Sequence, residues 1–114
     1  MNVRVAPVQP RDLRELFRLS RERLARLIGV SAKTVERWEA KPVRPARDEV
    51  RARMAQLHEI ADLGTAVYSR EGLADFLDAP LAEWGGLTAL QLIERGEADR
   101  VLASLASDYE GAGY

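Results

Sequence analysis

Apolar positions along the chain recur at helical spacing almost from end to end. Leu13, Leu16 and Phe17 share one face and predict a first helix over about 10–18, with Pro10 in its opening turn, where a missing N–H costs nothing. Arg21 to Ala40 reads RERLARLIGVSAKTVERWEA: two short amphipathic segments on either side of Gly29-Val30-Ser31. Leu24, Ala25, Ile28, Val30, Val35 and Trp38 are its apolar or small positions, the spacing two helices need to pack steeply across a tight turn. Ser20 suits the N-cap of the helix ending near Ile28, and Ser31 that of a helix over about 32–39. Gly29 can take the positive φ that the turn requires.

Lys41-Pro42-Val43-Arg44-Pro45 cannot be helical, because each proline also restricts the residue before it. A long helix follows, about Ala46 to Val67, with Val50, Met54, Leu57, Ile60 and Ala61 along its stripe. At ~1.5 Å per residue it reaches ~30 Å, enough to link two modules, and Gly64 weakens its last turns. Ser69 caps a helix with Leu73, Phe76 and Leu77 inward, ended by Asp78-Ala79-Pro80. Leu81 to Leu87 is a loop with two apolar anchors and a Gly85-Gly86 pair. Thr88 caps a short helix carrying Leu90, Leu92 and Ile93, and Gly96 suits a left-handed C-cap. A last helix over about 97–108 turns Val101, Leu102 and Leu105 inward, and Tyr109 to Tyr114 reads as a flexible tail. No segment alternates as a strand would. The fold class is all-α: a helix-turn-helix bundle over 1–45, a connecting helix over 46–68 and a small helical module over 69–114.

Charge divides the chain. Residues 1–58 carry 14 Lys/Arg against 7 Asp/Glu, and residues 59–114 carry 3 against 11, so a net charge of -1 hides a basic half and an acidic half. The basic half suits a polyanion, and the acidic half calls for a different partner. The absence of cysteine excludes disulfides and thiolate metal sites, and a single histidine argues against a His-based metal site or catalytic triad. There is no Gly-rich phosphate loop after a strand and no nucleophile–base pair, so an enzyme is the weakest reading. No run approaches the ~20 apolar residues of a membrane span, and MNVRVAPVQP lacks a signal peptide's apolar core, so a cytoplasmic protein is expected.

A DNA-reading helix points the side chains of its N-terminal turn at base edges. Here those are Ser31, Ala32, Lys33 and Thr34, with Arg37 one turn later; Lys33 and Arg37 can donate to guanine O6 and N7. Arg21 is the phosphate candidate on the preceding helix, and Lys41, Arg44 and Arg47 can clamp another phosphate. Trp38 reads as core. One such unit makes few contacts, so a dimer on a two-fold operator is expected.

Read from its residues alone, the C-terminal module could form a core, a dimer interface or a docking face. Its order of motifs, however, resembles a known family. Phe76-Leu77-Asp78-Ala79-Pro80-Leu81, then Gly85-Gly86-Leu87-Thr88-Ala89-Leu90-Gln91-Leu92-Ile93, then Gly96 and Val101-Leu102, is similar to the C-terminal toxin-binding domain of the Xre/MbcA/ParS antitoxins. The layout resembles theirs from about Leu13 onward, although Ala89 stands where the family usually has proline. The resemblance implies a cognate RES-domain toxin that consumes NAD⁺, neutralised by contact, with no catalysis, cofactor or metal in this chain. It also implies that the C-terminal tail, here Tyr109, Glu110, Gly111, Ala112, Gly113 and Tyr114, enters or covers the toxin's cleft; Trp84 joins these as a toxin-facing candidate. The complex would sit on its own operator as a homodimer within a larger hetero-oligomer. The competing reading is a stand-alone dimeric repressor whose residues 69–114 serve dimerisation or ligand sensing.

Overall fold

The computed structural model describes residues 10–41 and 44–111; Pro42 and Val43 of the connector, residues 1–9, and Ala112, Gly113 and Tyr114 of the expected tail lie outside that description. The described residues form seven α-helices and no strand: α1 Pro10–Phe17, α2 Arg21–Ile28, α3 Ala32–Ala40, α4 Asp48–Val67, α5 Arg70–Leu77, α6 Ala89–Glu94 and α7 Ala98–Gly111. A single 3₁₀ turn, Ala82–Trp84, sits in the loop before α6. The fold is all-α.

Four short helices, α2, α3, α5 and α6, start where the sequence supplies a side-chain acceptor. Ser20 Oγ accepts from Arg23 N at 3.1 Å, Ser31 Oγ from Thr34 N at 3.1 Å and Ser69 Oγ from Gly72 N at 3.0 Å. Thr88 and Gln91 form a reciprocal capping box, with Gln91 Oε1 accepting from Thr88 N at 2.8 Å. At α4 no side chain caps the N-terminus. Arg51 Nη1 donates to the carbonyls of Pro45 and Ala46, both at 2.7 Å, and holds those groups out of the helical ladder. The helix therefore begins at Asp48 instead of the expected Ala46. At the other end α7 continues to Gly111, past the expected end at 108, so Tyr109, Glu110 and Gly111 are helical instead of tail.

One cluster of buried side chains runs from α1 to α7 and crosses the expected boundaries near 45 and 68 without a break. Leu24, Leu27, Ile28 and Val35 build its N-terminal part, and Leu57 and Ile60 on α4 lead to Leu73, Leu77, Leu92, Val101 and Leu105. The long helix is consequently not a bare rod. It lies against α7, while α1 packs on α5 and α2 on α6, within a body of 39 × 37 × 25 Å. At Gly64, α4 and α5 come close: a Cβ there would stand 2.6 Å from Leu73 Cδ1. Nearby, Tyr68 stacks on Phe76 with ring centroids 5.3 Å apart, and Phe76 meets Trp84 edge-on at 6.0 Å.

Candidate functional site

The α2–α3 pair turns at Gly29, whose φ of 87° is left-handed; its N–H and that of Val30 both donate to the Ala25 carbonyl, at 2.8 and 3.0 Å. Val35 and Trp38 are buried beneath α3, which leaves Lys33, Glu36 and Arg37 exposed along its outer side. Ser31 is exposed at the helix start, Thr34 is half-buried with its hydroxyl 2.9 Å from Ser31 Oγ, and Ala32 is half-buried against the core. Lys41 and Arg44 are exposed just beyond α3. The two long cations expected to face bases thus share one open surface, while Ser31 and Thr34 are partly occupied in capping.

A glutamate that spacing alone does not single out fixes this surface. The Glu39 side chain is only 1% exposed. Its Oε2 accepts from Arg14 Nε of α1 at 2.6 Å, and its Oε1 accepts from Arg21 Nε of α2 at 2.9 Å. One carboxylate therefore ties the end of α3 to both preceding helices. The Arg14 hydrogen bond, opposed by burial and reinforced by Arg21, holds the Glu39 carboxyl below the usual carboxylate range. Arg21, expected to be a phosphate contact, keeps a 43% exposed side chain with its Nε committed to Glu39.

Other arginines brace the fold. Arg53 of α4 donates to the Leu27 carbonyl at 3.1 Å and Arg47 to the Gly29 carbonyl at 3.2 Å. Both place positive charge at the carbonyl end of α2, where the helix dipole favours it. Arg47, expected on a phosphate, therefore has an internal partner. Arg23 and Arg26 of α2 lie 3.2 and 3.8 Å from Glu94 at the end of α6, which joins the basic half to the acidic half. A pattern of apolar positions carries no signal for these long-range pairs.

At the acidic end, Trp84 is 6% exposed and belongs to the core. Its indole meets Phe76 edge-on, with ring centroids 6.0 Å apart. Tyr109, Glu110 and Gly111 are exposed on the last turns of α7. The preceding turn is anchored by Tyr68, whose hydroxyl donates to Asp108 Oδ2 at 3.1 Å; burial and that carboxylate raise the Tyr68 phenol above its ordinary range. Among the described residues no group of three or more His, Cys, Asp or Glu side chains is placed to hold a metal ion, and no helix is long and apolar enough to cross a membrane.

These features define a class: an all-α protein in which a short, outwardly basic helix pair shares one core with an acidic helical half. No family model matches the sequence, and no curated protein matches it. Among solved structures, the chain is similar to a chain in the crystal structure of the M. tuberculosis MbcT–MbcA toxin-antitoxin complex, at 26% identity and a TM-score of 0.73. The match covers 98% of this chain and 100% of that one, and it supports an MbcA-like antitoxin.

Proposed function

We propose that this chain is the antitoxin of a RES–Xre type II toxin-antitoxin pair. It binds and neutralises a cognate RES-domain toxin, an NAD⁺-consuming enzyme, and represses its own operon as a helix-turn-helix protein in the cytoplasm. The observation that carries this reading is the match over nearly the full length of both chains to a component of a toxin-antitoxin complex. The motif order from Phe76 to Leu102 supports the same reading.

The two activities belong to opposite ends. The N-terminal turn of α3 is the operator reader, with Lys33 and Arg37 donating to guanine edges and Thr34 and Ser31 beside them. Arg21, Lys41 and Arg44 are the phosphate contacts, and Ala32 allows close approach. Two copies within a larger hetero-oligomer place two such helices on a two-fold operator. At the other end, the segment from Tyr109 to Tyr114 occupies the toxin's cleft: its small residues admit backbone to a narrow site, and Glu110 pairs with basic groups. Neutralisation is by contact, without catalysis in this chain.

Co-expression tests this. A RES-domain protein encoded beside this chain should arrest growth when expressed alone, and this chain should restore growth. Arrest that persists with equal expression of both proteins overturns the reading in favour of a stand-alone repressor.

A further inference from the structure

Tyr109 is the one large hydrophobic side chain that the described residues leave well exposed, at 36%. It stands at the end of a groove of about 370 Å³ between α4 and α7. Glu59, Asp62, Leu63 and Ala66 line the α4 side, at the i, i+3, i+4, i+7 spacing of a single helix face. Leu102 and Tyr109, seven residues apart and so on one face of α7, line the other. The floor is therefore aliphatic and aromatic, with Leu63 and Leu102 half-buried in it, and the α4 rim carries two exposed carboxylate residues.

We infer that this α4–α7 groove is a second docking surface for the toxin, continuous with the tail, taking a segment with aliphatic side chains flanked by Lys or Arg. The inference rests on the antitoxin reading and deepens it: the tail would block the cleft, while the groove supplies the affinity that keeps the two proteins together. Charge selects the occupant. The half of the chain that builds the groove carries 11 Asp/Glu against 3 Lys/Arg. A second copy presenting the same face would set Glu59 and Asp62 against their own counterparts, an arrangement that like-charge repulsion disfavours. A basic partner gains from the same charges in steering and in register. Position agrees with charge. Tyr109 is both the end of the groove and the first residue of the segment assigned to the toxin, so a toxin engaged by the tail meets the groove without a gap in the contact surface. Ala66 is exposed and small, which leaves room for an inserted side chain.

The test uses the full-length chain and the RES-domain protein encoded beside it, with affinity measured by calorimetry at two salt concentrations. The variants are Glu59→Lys and Ala66→Arg, both on exposed turns of α4 that tolerate long side chains. Each should weaken toxin binding roughly tenfold or more while leaving helicity, thermal midpoint and operator binding unchanged, and wild-type binding should weaken as salt rises. A chain lacking residues 112–114 should still bind the toxin, yet no longer neutralise it. Variants that bind as tightly as wild type overturn the groove alone and leave the antitoxin reading standing. Variants that instead change the protein's self-association in the absence of toxin assign the groove to a second copy and also overturn the inference. A wild-type chain that does not bind the RES-domain protein overturns both readings.

Discussion

Glu39 and Glu36 lie on the same short helix and look alike in the sequence, yet one is exposed and the other holds three helices together. Glu36 points outward because the next turn of α3 places Val35 and Trp38 beneath the helix. Glu39 follows Trp38 and turns toward Arg14 and Arg21. Replacing Glu39 with Gln should destabilise the protein by about 1.5–3 kcal/mol, the range for hydrogen bonds to charged groups, measured by urea unfolding at neutral pH. The pH dependence follows from the direction of the shift. The folded-state carboxyl titrates below its unfolded value of about 4.3, so its contribution is complete above that value. It is lost as pH falls through the lower, folded-state value, and the Glu39→Gln variant should lack this part of the acid sensitivity. In the proposed operator reading the relevant side chains are Lys33 and Arg37. Lys33→Ala and Arg37→Ala should each weaken specific operator binding by about 1–3 kcal/mol, whereas Lys41→Ala should weaken binding to all sequences alike and reduce its salt dependence. Equal affinity of wild type and the Lys33/Arg37 double variant for operator DNA would remove α3 from the account.

Among the helices, the caps were readable because their chemistry is local. Ser20, Ser31, Ser69 and Thr88 each accept a backbone N–H three residues ahead, and spacing alone locates them. The two misplaced helix ends have different causes. The start of α4 is set by Arg51 reaching back to two carbonyls, an interaction that competes with the helix and leaves no mark in the apolar pattern. The end of α7 lies two turns beyond the last buried residue, Leu105, where periodicity gives no guide. Gly64 shows the same limit. In sequence it reads as a weak point in α4, because glycine costs about 1 kcal/mol relative to alanine in a helix. In the fold it admits Leu73, which is fully buried, so its Cδ1 can move only by displacing its core neighbours. Gly64→Ala should therefore lower stability in spite of its better helix propensity, since overpacking costs about 1–3 kcal/mol. A raised denaturation midpoint for Gly64→Ala would show that α4 and α5 are less tightly apposed than described.

For the chain taken as one body, the sequence divides cleanly by charge and by motif, and the packing does not follow that division. The same residues that look like two modules contribute to one core, because the inner faces of α1 and α2 are covered by α5 and α6. Arg23 and Arg26 on Glu94 add polar links across the same seam. A 114-residue chain with a shared core should unfold in a single cooperative transition, with calorimetric and van't Hoff enthalpies equal. Two resolved transitions would mean that the basic and acidic halves are separate folding units after all. Glu94→Ala should leave the single transition in place and lower its midpoint, because the apolar contact between α2 and α6 persists without the charges.

The most direct check on the antitoxin role is the rate of NAD⁺ consumption by the purified RES-domain protein, titrated with this chain and with a version ending at Asp108. The account predicts that the full chain abolishes consumption near stoichiometric amounts, and that the shortened chain, which lacks both the tail and the groove's Tyr109, leaves most of the activity in place. NAD⁺ consumption unaffected by excess full-length protein would contradict it.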